Sequence, residues 1–468
     1  MRTSVSAWLS VLAATAALSG CATFHTLPLD NGRGPQRVTD ISVPAASLPL
    51  PALRTHVFDP TNGLDVTDVA MLAVANNPQL RVQRAAAGVA HAEAYAAGLL
   101  PDPSVSYEHD RPTASDPPGT TSAITESIAL DFGNLVTRSA RVKAARAGER
   151  QVNLDLLWSE WQTIARARSL FDRIYFTRKL VARLAREHAA LAPLQAAVRH
   201  ALQSGNLSYA TAGAGLDAVA NVTDQLGTAQ RQLHLDEHDL HDLLGLDASV
   251  PLHLTGAPFT VDPNQAQVRR AVADMPTRRP DLLALQAGYR AQNEKLRAAI
   301  LAQFPAITVG FVRGRDNSNL KSLGLSIGLS LPLFDGNRGN IAIARATRRQ
   351  LHAAYAARLL TDRNDVARLY ADLQSDRAQQ RPLAAHATRL AHARRAAQAG
   401  YAAGRLDWPT YLSIRADSLS ADTTLLALEQ NTHATAIALD ALVGDWPDAS
   451  VATHPRRLHA TSRTTPHP

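Results

Sequence analysis

The sequence predicts a mainly α-helical protein with a four-stranded membrane β segment per chain and a duplicated, coiled-coil-like rod of long helices. Three observations support this fold class. Two long stretches, 133–204 and 336–403, carry apolar residues at roughly heptad spacing. Residues 323–331 alternate strictly between large apolar and tiny side chains, which is typical of a β-strand. The same landmarks also occur twice along the chain.

Composition excludes several classes of protein. The chain has 468 residues, 46% of them hydrophobic and 5% aromatic, with a single cysteine. One cysteine excludes an internal disulfide framework and a cysteine-based zinc site. The net charge of +7 is too small for this length to indicate nucleic-acid binding. The sequence has no phosphate-binding loop, nucleophile elbow or zinc-protease motif, so we predict no catalytic residues and no cofactor.

The N-terminus predicts export and lipid anchoring. Residues 5–18 form an apolar stretch too short to span a bilayer, which predicts that residues 1–20 are a signal peptide. The sequence Leu18-Ser19-Gly20-Cys21 resembles a bacterial lipoprotein cleavage box, which implies cleavage before Cys21 and its acylation. An ordinary signal peptide with a coincidental cysteine is the alternative. Ala22 is not the aspartate that retains enterobacterial lipoproteins in the inner membrane, so sorting to the outer membrane is expected.

The chain contains an internal duplication. In each half, two prolines lie 25 residues apart and two glycines lie 40 residues apart. The pairs are Pro78 with Pro103, Pro280 with Pro305, Gly205 with Gly245, and Gly404 with Gly444. Equal spacings at nearly one offset indicate two copies of one structural unit. We therefore divide the chain into a signal peptide (1–20), an extended lipid-anchored segment (21–64), a first repeat (65–256), a second repeat (257–445) and a disordered basic tail (446–468).

Each repeat is expected to contain two strands. These are predicted at about 104–110, 122–132, 306–313 and 321–333. Alternating segments of about ten residues, joined by polar loops, are the signature of a transmembrane β-barrel. Two hairpins from a soluble sheet are the alternative, but the flanking sequence offers only helices to cover the apolar face. Since about eight strands are the smallest number that closes a barrel, a membrane role for these four requires oligomerisation.

Each repeat is also expected to contain a helical hairpin. A long helix turns into a shorter return helix, which gives a rod of paired antiparallel helices. Pro193 and Pro382 lie inside the long helices and are expected to kink or interrupt them. The long helices are predicted at 133–204 and 336–403, and the return helices at 206–244 and 406–443.

With this organisation, the sequence resembles the TolC-like outer-membrane efflux protein family. The resemblance rests on short motifs whose order and spacing match over about 65–444. It implies a homotrimer with one 12-stranded β-barrel in the outer membrane and an α-helical tunnel through the periplasm. It also implies passive efflux together with a periplasmic adaptor protein and an inner-membrane efflux pump. The motifs are Asn77-Pro78-Gln79-Leu80, Leu100-Pro101-Asp102-Pro103, Leu130-Asp131-Phe132-Gly133, Arg279-Pro280-Asp281-Leu282 and Leu331-Pro332-Leu333-Phe334-Asp335-Gly336.

The resemblance implies that the two helical turns form periplasmic tips that contact the adaptor. A tight reversal needs a positive φ angle, which glycine adopts at low cost. The alternative is that these glycines only cap helices. Some relatives carry acidic residues after the second tip, whereas here that ring is reduced at most to Asp407. The predicted tip residues are Gly205, Asn206, Leu207, Gly404, Arg405, Leu406 and Asp407.

The nature of the cargo and one weak metal candidate stay open. His234, His238 and His241 have spacings that place three imidazoles on one helix face, although a solvated polar face is the simpler interpretation. The motifs at 100–103 and 404–407 resemble the heavy-metal branch of the family, which implies divalent cations as cargo. Drugs or small organic solutes are the alternative.

Two other classes of function compete with the efflux channel. A periplasmic coiled-coil adaptor or scaffold lipoprotein would share the long helices but would have no use for membrane strands. A histidine-dependent metalloenzyme lipoprotein would lose stoichiometric metal when His234 or His238 is replaced. The alternation over 323–331 favours the channel, because neither alternative explains it.

Overall fold

The structure is a computed structural model that describes residues 24–29, 34–44, 48, 50–113, 119–206 and 208–444. The predicted signal peptide (1–20), the lipidation residue Cys21, the tip residue Leu207 and the tail (446–468) lie outside the described residues.

The described chain consists of nine α-helices and four strands, with two short 3₁₀ helices near its start. In chain order, the elements are α1 (Pro51–Thr55), α2 (Val66–Asn76), α3 (Pro78–Gly98), β1 (Ser104–Asp110), β2 (Ala123–Asp131), α4 (Gly133–Gln203), α5 (Tyr209–Leu244), α6 (Gln265–Arg278), α7 (Pro280–Leu301), β3 (Ala306–Arg315), β4 (Lys321–Ser330), α8 (Arg338–Ala402) and α9 (Trp408–Val443).

The two longest helices run without interruption. Helix α4 has 71 residues and α8 has 65, which correspond to lengths of about 105 and 100 Å. Pro193 and Pro382 lie inside them without interrupting them, so the expected interruption is wrong and the expected kink stays a prediction. A proline removes one backbone hydrogen bond. The packed helices on either side hold the remaining turns in place, and each helix continues for several turns beyond its proline.

The four strands form one antiparallel sheet with the order β1-β2-β3-β4. Strands β2 and β3 pair with each other, so the sheet joins the two repeats at its centre. Strand β4 ends at Ser330, three residues earlier than predicted. Pro332 explains this difference, because proline has no N–H to donate to a neighbouring strand and restricts the residue before it.

The main core lies where the short helices cross the middle of the long ones. It combines buried apolar residues of α2, the central part of α4, the ends of α5 and α9, and the linker between the repeats. Phe171 and Trp161 of α4 are among its largest side chains. Helices α2 and α6 were not predicted separately. Their apolar positions contribute to this shared core and follow no long periodic run.

A second, smaller core lies near the ends of the long helices, where α4, α5, α8 and α9 meet. In the part of the chain that the structure describes, none of the helices combines the length and the apolar character needed to cross a membrane.

Candidate channel wall and helical tips

The sheet has two chemically different faces. Successive side chains of a strand point to opposite faces, so residues that pair across the strands share a face. Val105, Ile128, Phe311 and Leu325 form one such row across all four strands. We call the face that carries this row the apolar face. It is exposed in the single chain: Leu323 is 79% exposed and Phe311 is 62% exposed.

The opposite face is built from small residues. Ser104, Ala129, Gly310 and Ser326 form a row across it. At Gly310, an added Cβ would lie 2.7 Å from the Ile128 carbonyl oxygen, so only glycine fits against β2. We call this surface the small-residue face. Apart from Val312, its strand positions hold only Ser, Thr, Ala and Gly, together with three carboxylates, Glu108, Asp110 and Asp131.

Asp131 has a structural role at the base of the sheet. Its Oδ1 accepts a hydrogen bond from the Gly133 backbone N–H at 2.7 Å, and Oδ2 accepts one from the Asn134 side chain at 2.8 Å. These contacts join the end of β2 to the start of α4. Glu108 and Asp110 lie toward the other end of β1, next to the loop into β2.

Both predicted turns reverse at the expected glycines. Gly205 has a φ of 71° and Gly404 a φ of 67°, and no atom of the described residues, apart from the glycine's own chain neighbours, lies within 4 Å of where a Cβ would be. The backbone conformation, not crowding, therefore favours glycine at these two positions. The following residue closes each turn: the Asn206 N–H donates to the Ala201 carbonyl at 2.9 Å, and the Arg405 N–H donates to the Gly400 carbonyl at 2.8 Å.

Asp407 caps the helix that follows the second turn. Its side chain accepts a hydrogen bond from the Thr410 backbone N–H at 3.0 Å, at the N-terminus of α9. Hydrogen bonds from the Thr410 side chain and backbone lower the pKa of Asp407 below its ordinary value. Asp407 is therefore an ionised, exposed cap. Leu406, beside it, packs against the smaller core.

Above the second turn lies an aromatic cluster that the sequence did not predict. The rings of Tyr401 and Tyr411 are stacked, with centroids 4.8 Å apart and an angle of 3° between their planes. Trp408 lies against both rings. The Tyr411 hydroxyl accepts a hydrogen bond from Arg415 Nη1 at 2.7 Å, and Arg415 pairs with Glu187 of α4. This cluster ties α9 to both long helices near the tip.

A second buried ion-pair network lies at the family motif of the second repeat. Arg279 is fully buried and contacts Asp281 at 2.8 Å and Asp362 of α8 at 3.0 Å. Arg358 contacts both carboxylates from the solvent side. The Arg279 guanidinium lies 4.7 Å from the centroid of the Trp158 ring. The network joins the start of α7 to the middle of α8 and to α4.

His433 of α9 and Asp172 of α4 hold the linker between the repeats against these two helices. His433 Nδ1 lies 3.1 Å from Asp172 Oδ2 and 3.1 Å from the carbonyl oxygen of Phe259, which belongs to the linker. The hydrogen bond to Asp172 is the main cause that raises the pKa of His433, against the opposing effect of burial. The Arg168 guanidinium covers the Phe259 ring at 4.0 Å from its centroid.

The predicted histidine face does not converge on one point. His241 is buried, and its two ring nitrogens lie 2.7 Å from the carbonyl oxygens of Glu237 and Val250. Its ring lies 6.4 Å from that of His238, measured between centroids. While these two contacts persist, His241 has no ring nitrogen available for a metal. The metal candidate at His234, His238 and His241 remains a prediction.

A different trio of possible ligands lies at the start of α2. His56 Nε2 is 3.1 Å from Asp68 Oδ1 and 3.8 Å from Asp65 Oδ2. The two aspartates form a capping box, in which Asp65 accepts the Asp68 N–H at 2.8 Å and Asp68 accepts the Asp65 N–H at 3.1 Å. The spacing of the aspartates is typical of such a cap. The two aspartates therefore cap the helix, and His56 is a hydrogen-bond partner of Asp68.

Comparison with known proteins gives a family match in the second repeat. Residues 272–445 match the family model described as outer membrane efflux protein. The outer membrane protein OprJ of Pseudomonas aeruginosa is 29% identical over 189 residues, which are 38% of this chain and 40% of OprJ. The match thus spans less than half the length of this curated relative.

Solved structures share the fold over most of the chain at low identity. The CmeC outer membrane channel of Campylobacter jejuni has a TM-score of 0.70 and 13% identity, over 93% of this chain and 98% of CmeC. The outer-membrane channel OprN has a TM-score of 0.68 and 16% identity, over 91% of this chain and all of OprN. CusC, a transmembrane channel protein, has a TM-score of 0.67 and 18% identity, over 85% of this chain and 98% of CusC.

The fold is therefore the one that these solved outer-membrane channels share. Residues 272–445 form an outer membrane efflux protein domain, and the resemblance to the TolC-like outer-membrane efflux protein family is confirmed. The mainly helical fold with one four-stranded antiparallel sheet is confirmed as well.

Proposed function

We propose that the protein is the outer-membrane channel of a tripartite efflux system and passively conducts solutes out of the periplasm. The observation that carries this proposal is the two-faced sheet at one end of the paired helices. A sheet with a large exposed apolar face and a small-residue face suits a barrel wall between lipid and water. An adaptor or scaffold protein would have no partner for the apolar face.

The proposed assembly is a homotrimer. Strands β1 and β4 are the edges of the sheet, and each has an unpaired side in the single chain. Four strands are too few to close a barrel, whereas three chains supply 12 and leave no free edge, since β4 of one chain pairs with β1 of the next. The helices of the three chains then continue the barrel as a periplasmic tunnel.

The proposed partners are a periplasmic adaptor protein and an inner-membrane efflux pump. The adaptor contacts would lie at the two tips, around Gly205 and Asn206 and around Gly404, Arg405 and Leu406. Both turns are exposed and lie at the end of the rod opposite the sheet, which supports this placement. Site-specific photo-crosslinking from Asn206 or Arg405 would capture the adaptor if the tips are the docking site, and adaptor captured only from the middle of α8 would contradict it.

The proposed location is the outer membrane, with acylated Cys21 as an additional anchor. Metabolic labelling with a radioactive fatty acid tests the anchor: replacing Cys21 with alanine should abolish the label. The cargo has two candidate classes, divalent heavy-metal cations and drugs or small organic solutes. Parallel susceptibility assays with metal salts and with dyes, in cells with and without the protein, distinguish them.

The mass of the protein in solution tests the channel itself. The mature chain with Cys21 replaced is extracted in mild detergent and analysed by light scattering. A detergent-requiring particle with three times the mass of the chain supports the channel. A monomer or dimer that stays in solution without detergent would overturn the barrel and would instead support the scaffold alternative.

A further inference from the structure

The basic residues of the sheet all lie on its apolar face. Arg313, Arg315 and Lys321 are the basic residues, other than histidine, in the four strands, and their positions share the parity of the apolar row. Arg315 pairs with Lys321, and Arg313 pairs with Leu323. We call these three residues the basic rim. They lie at the end of the sheet far from the helices, beside the loop between β3 and β4.

The basic rim overlaps the outer end of the apolar positions, because Arg313 is level with Leu323, and Arg315 and Lys321 are level with Ile124. On β4, the apolar face carries leucine or isoleucine at every second position from Leu323 to Leu329, which covers about 20 Å. Leu331 and Leu333, just past the strand, are also exposed. This length is comparable with the apolar band of about 25 Å in outer-membrane barrels. Lys321 is the next position outward on the same face.

The charges of the rim are not neutralised within the sheet. Arg315 Nη2 donates a hydrogen bond to the Ser122 carbonyl at 3.2 Å, which orients the guanidinium at the loop. Glu126 is in register with Arg313, and it is the one carboxylate that the described strands place on this face. Three cations therefore face one carboxylate. Tyr107, which pairs with Glu126, adds an amphipathic ring at the same level.

We propose that the basic rim binds the phosphate groups of anionic lipids in the leaflet that surrounds the far end of the barrel. The proposal rests on the proposed function, because that function places the apolar face in lipid. Cations at the outer edge of the apolar band reach the depth of the headgroups, and arginine binds phosphate through two parallel N–H groups. A lipid offers both its phosphate to the rim and its chains to the leucines, whereas free phosphate lacks the second contact.

Native mass spectrometry of the detergent-solubilised, full-length trimer tests the proposal. The probes are phosphatidylglycerol and phosphatidylcholine with identical acyl chains. We expect the wild-type trimer to retain phosphatidylglycerol in preference to phosphatidylcholine. The variant R313Q/R315Q/K321Q should lower this preference about tenfold, since each cation near an anionic surface contributes to attraction. The charge-conserving variant R313K/R315K should keep more of it than the glutamine variant, because it retains the charges but loses the paired N–H groups.

Matched controls separate the rim from general charge. The variant R363Q/R381Q/R389Q removes three exposed arginines from α8 and should leave the lipid preference unchanged. Equal retention of the two lipids by the wild-type trimer would overturn the proposal, whether or not the rim variant assembles. Full displacement of the lipid by millimolar inorganic phosphate would also overturn it. Failure of the wild-type chain to form any trimer would instead refute the proposed function on which this inference rests.

Discussion

Glu187 and Arg415 form a buried ion pair although they lie 228 positions apart in the chain. Arg415 Nε lies 2.8 Å from Glu187 Oε1, and the two residues are 6% and 3% exposed. One belongs to the long helix of the first repeat and the other to the return helix of the second. The pair therefore couples the two repeats close to the tips.

Replacing Glu187 with glutamine should destabilise this end of the rod. A buried arginine that loses its carboxylate partner costs about 3–5 kcal/mol. Hydrogen exchange of the backbone amides in α4 and α9 measures the loss, which should be confined to the turns around Glu187 and Arg415. The matched control is Asp262→Asn, which breaks the pair between exposed Asp262 and half-buried Arg377 and should cost about 0–1 kcal/mol. Equal effects of the two variants would show that burial of the pair does not matter.

Gly404 offers a test of backbone strain without crowding. Its φ of 67° is unfavourable for most residues, while the space around it is open. Gly404→Val should weaken the turn by about 1–2 kcal/mol, and Gly404→Asn should cost less because asparagine tolerates the left-handed region. Faster hydrogen exchange in the last turn of α8 would report the weakening. The idea fails if asparagine and valine have the same effect.

His433 makes the stability of the linker depend on pH. Its pKa in the folded chain is raised above the ordinary value of 6.5, mainly by the hydrogen bond to Asp172. The folded state thus binds the proton more tightly, so the contribution is fully present below about pH 6.5 and is lost as the pH rises through the raised pKa. The ring lies within hydrogen-bonding distance of Asp172 and of the Phe259 carbonyl and makes a T-shaped contact with Phe176. The charge of Glu429 also favours the protonated form.

The melting temperature of the detergent-solubilised protein checks this dependence. The difference between the wild type and His433→Gln should be largest at about pH 5 and should shrink above neutral pH. His392→Gln is the control, since His392 is exposed on α8 and contacts only Arg395 among the hydrogen-bond partners found in the described chain. A difference that stays constant from pH 5 to pH 8 would exclude titration of His433 as the cause.

The small-residue face should determine which ions pass the proposed channel. Glu108 and Asp110 lie on it near the loop end of β1, and the described strands place no lysine or arginine on this face. Three copies of the two carboxylates would line the proposed pore and favour cations. E108Q/D110N should therefore shift the reversal potential in a salt gradient across a planar bilayer toward less cation selectivity.

Glu126 supplies the matched control for this measurement. It lies on the neighbouring strand at a similar height but on the apolar face. Glu126→Gln should leave the reversal potential unchanged. An equal shift from Glu126→Gln would mean that the assignment of the two faces to pore and lipid is wrong.

Local sequence features predicted most of the elements but few of the contacts. The alternation at 323–331 and the turn glycines are local signals, because a strand face and a helix reversal each depend on a few neighbouring residues. The pairs Glu187–Arg415 and Arg279–Asp362 join distant segments, and no periodicity indicates which charges meet. The aromatic cluster at Tyr401 and Tyr411 was missed for the same reason.

The histidine face shows what spacing alone does not report. His234, His238 and His241 share a helical face by spacing, yet His241 turns into the protein and contacts the carbonyl of Val250 in the segment after the helix. Val250 belongs to the main core, and its packing there holds this segment against the helix. Helix periodicity carries no information about such a contact. The ends of β4 and α8 differed from prediction by only a few residues.

The even number of strands has a consequence for how copies of the chain can meet. In the order β1-β2-β3-β4, the two edge strands run in opposite directions. Identical copies whose rods all point the same way can therefore continue an antiparallel ladder only by placing β4 beside the next copy's β1. Each junction is heterologous, joining the second repeat of one copy to the first repeat of another. Such a junction is never self-complementary, so growth stops only when the row of copies closes into a ring.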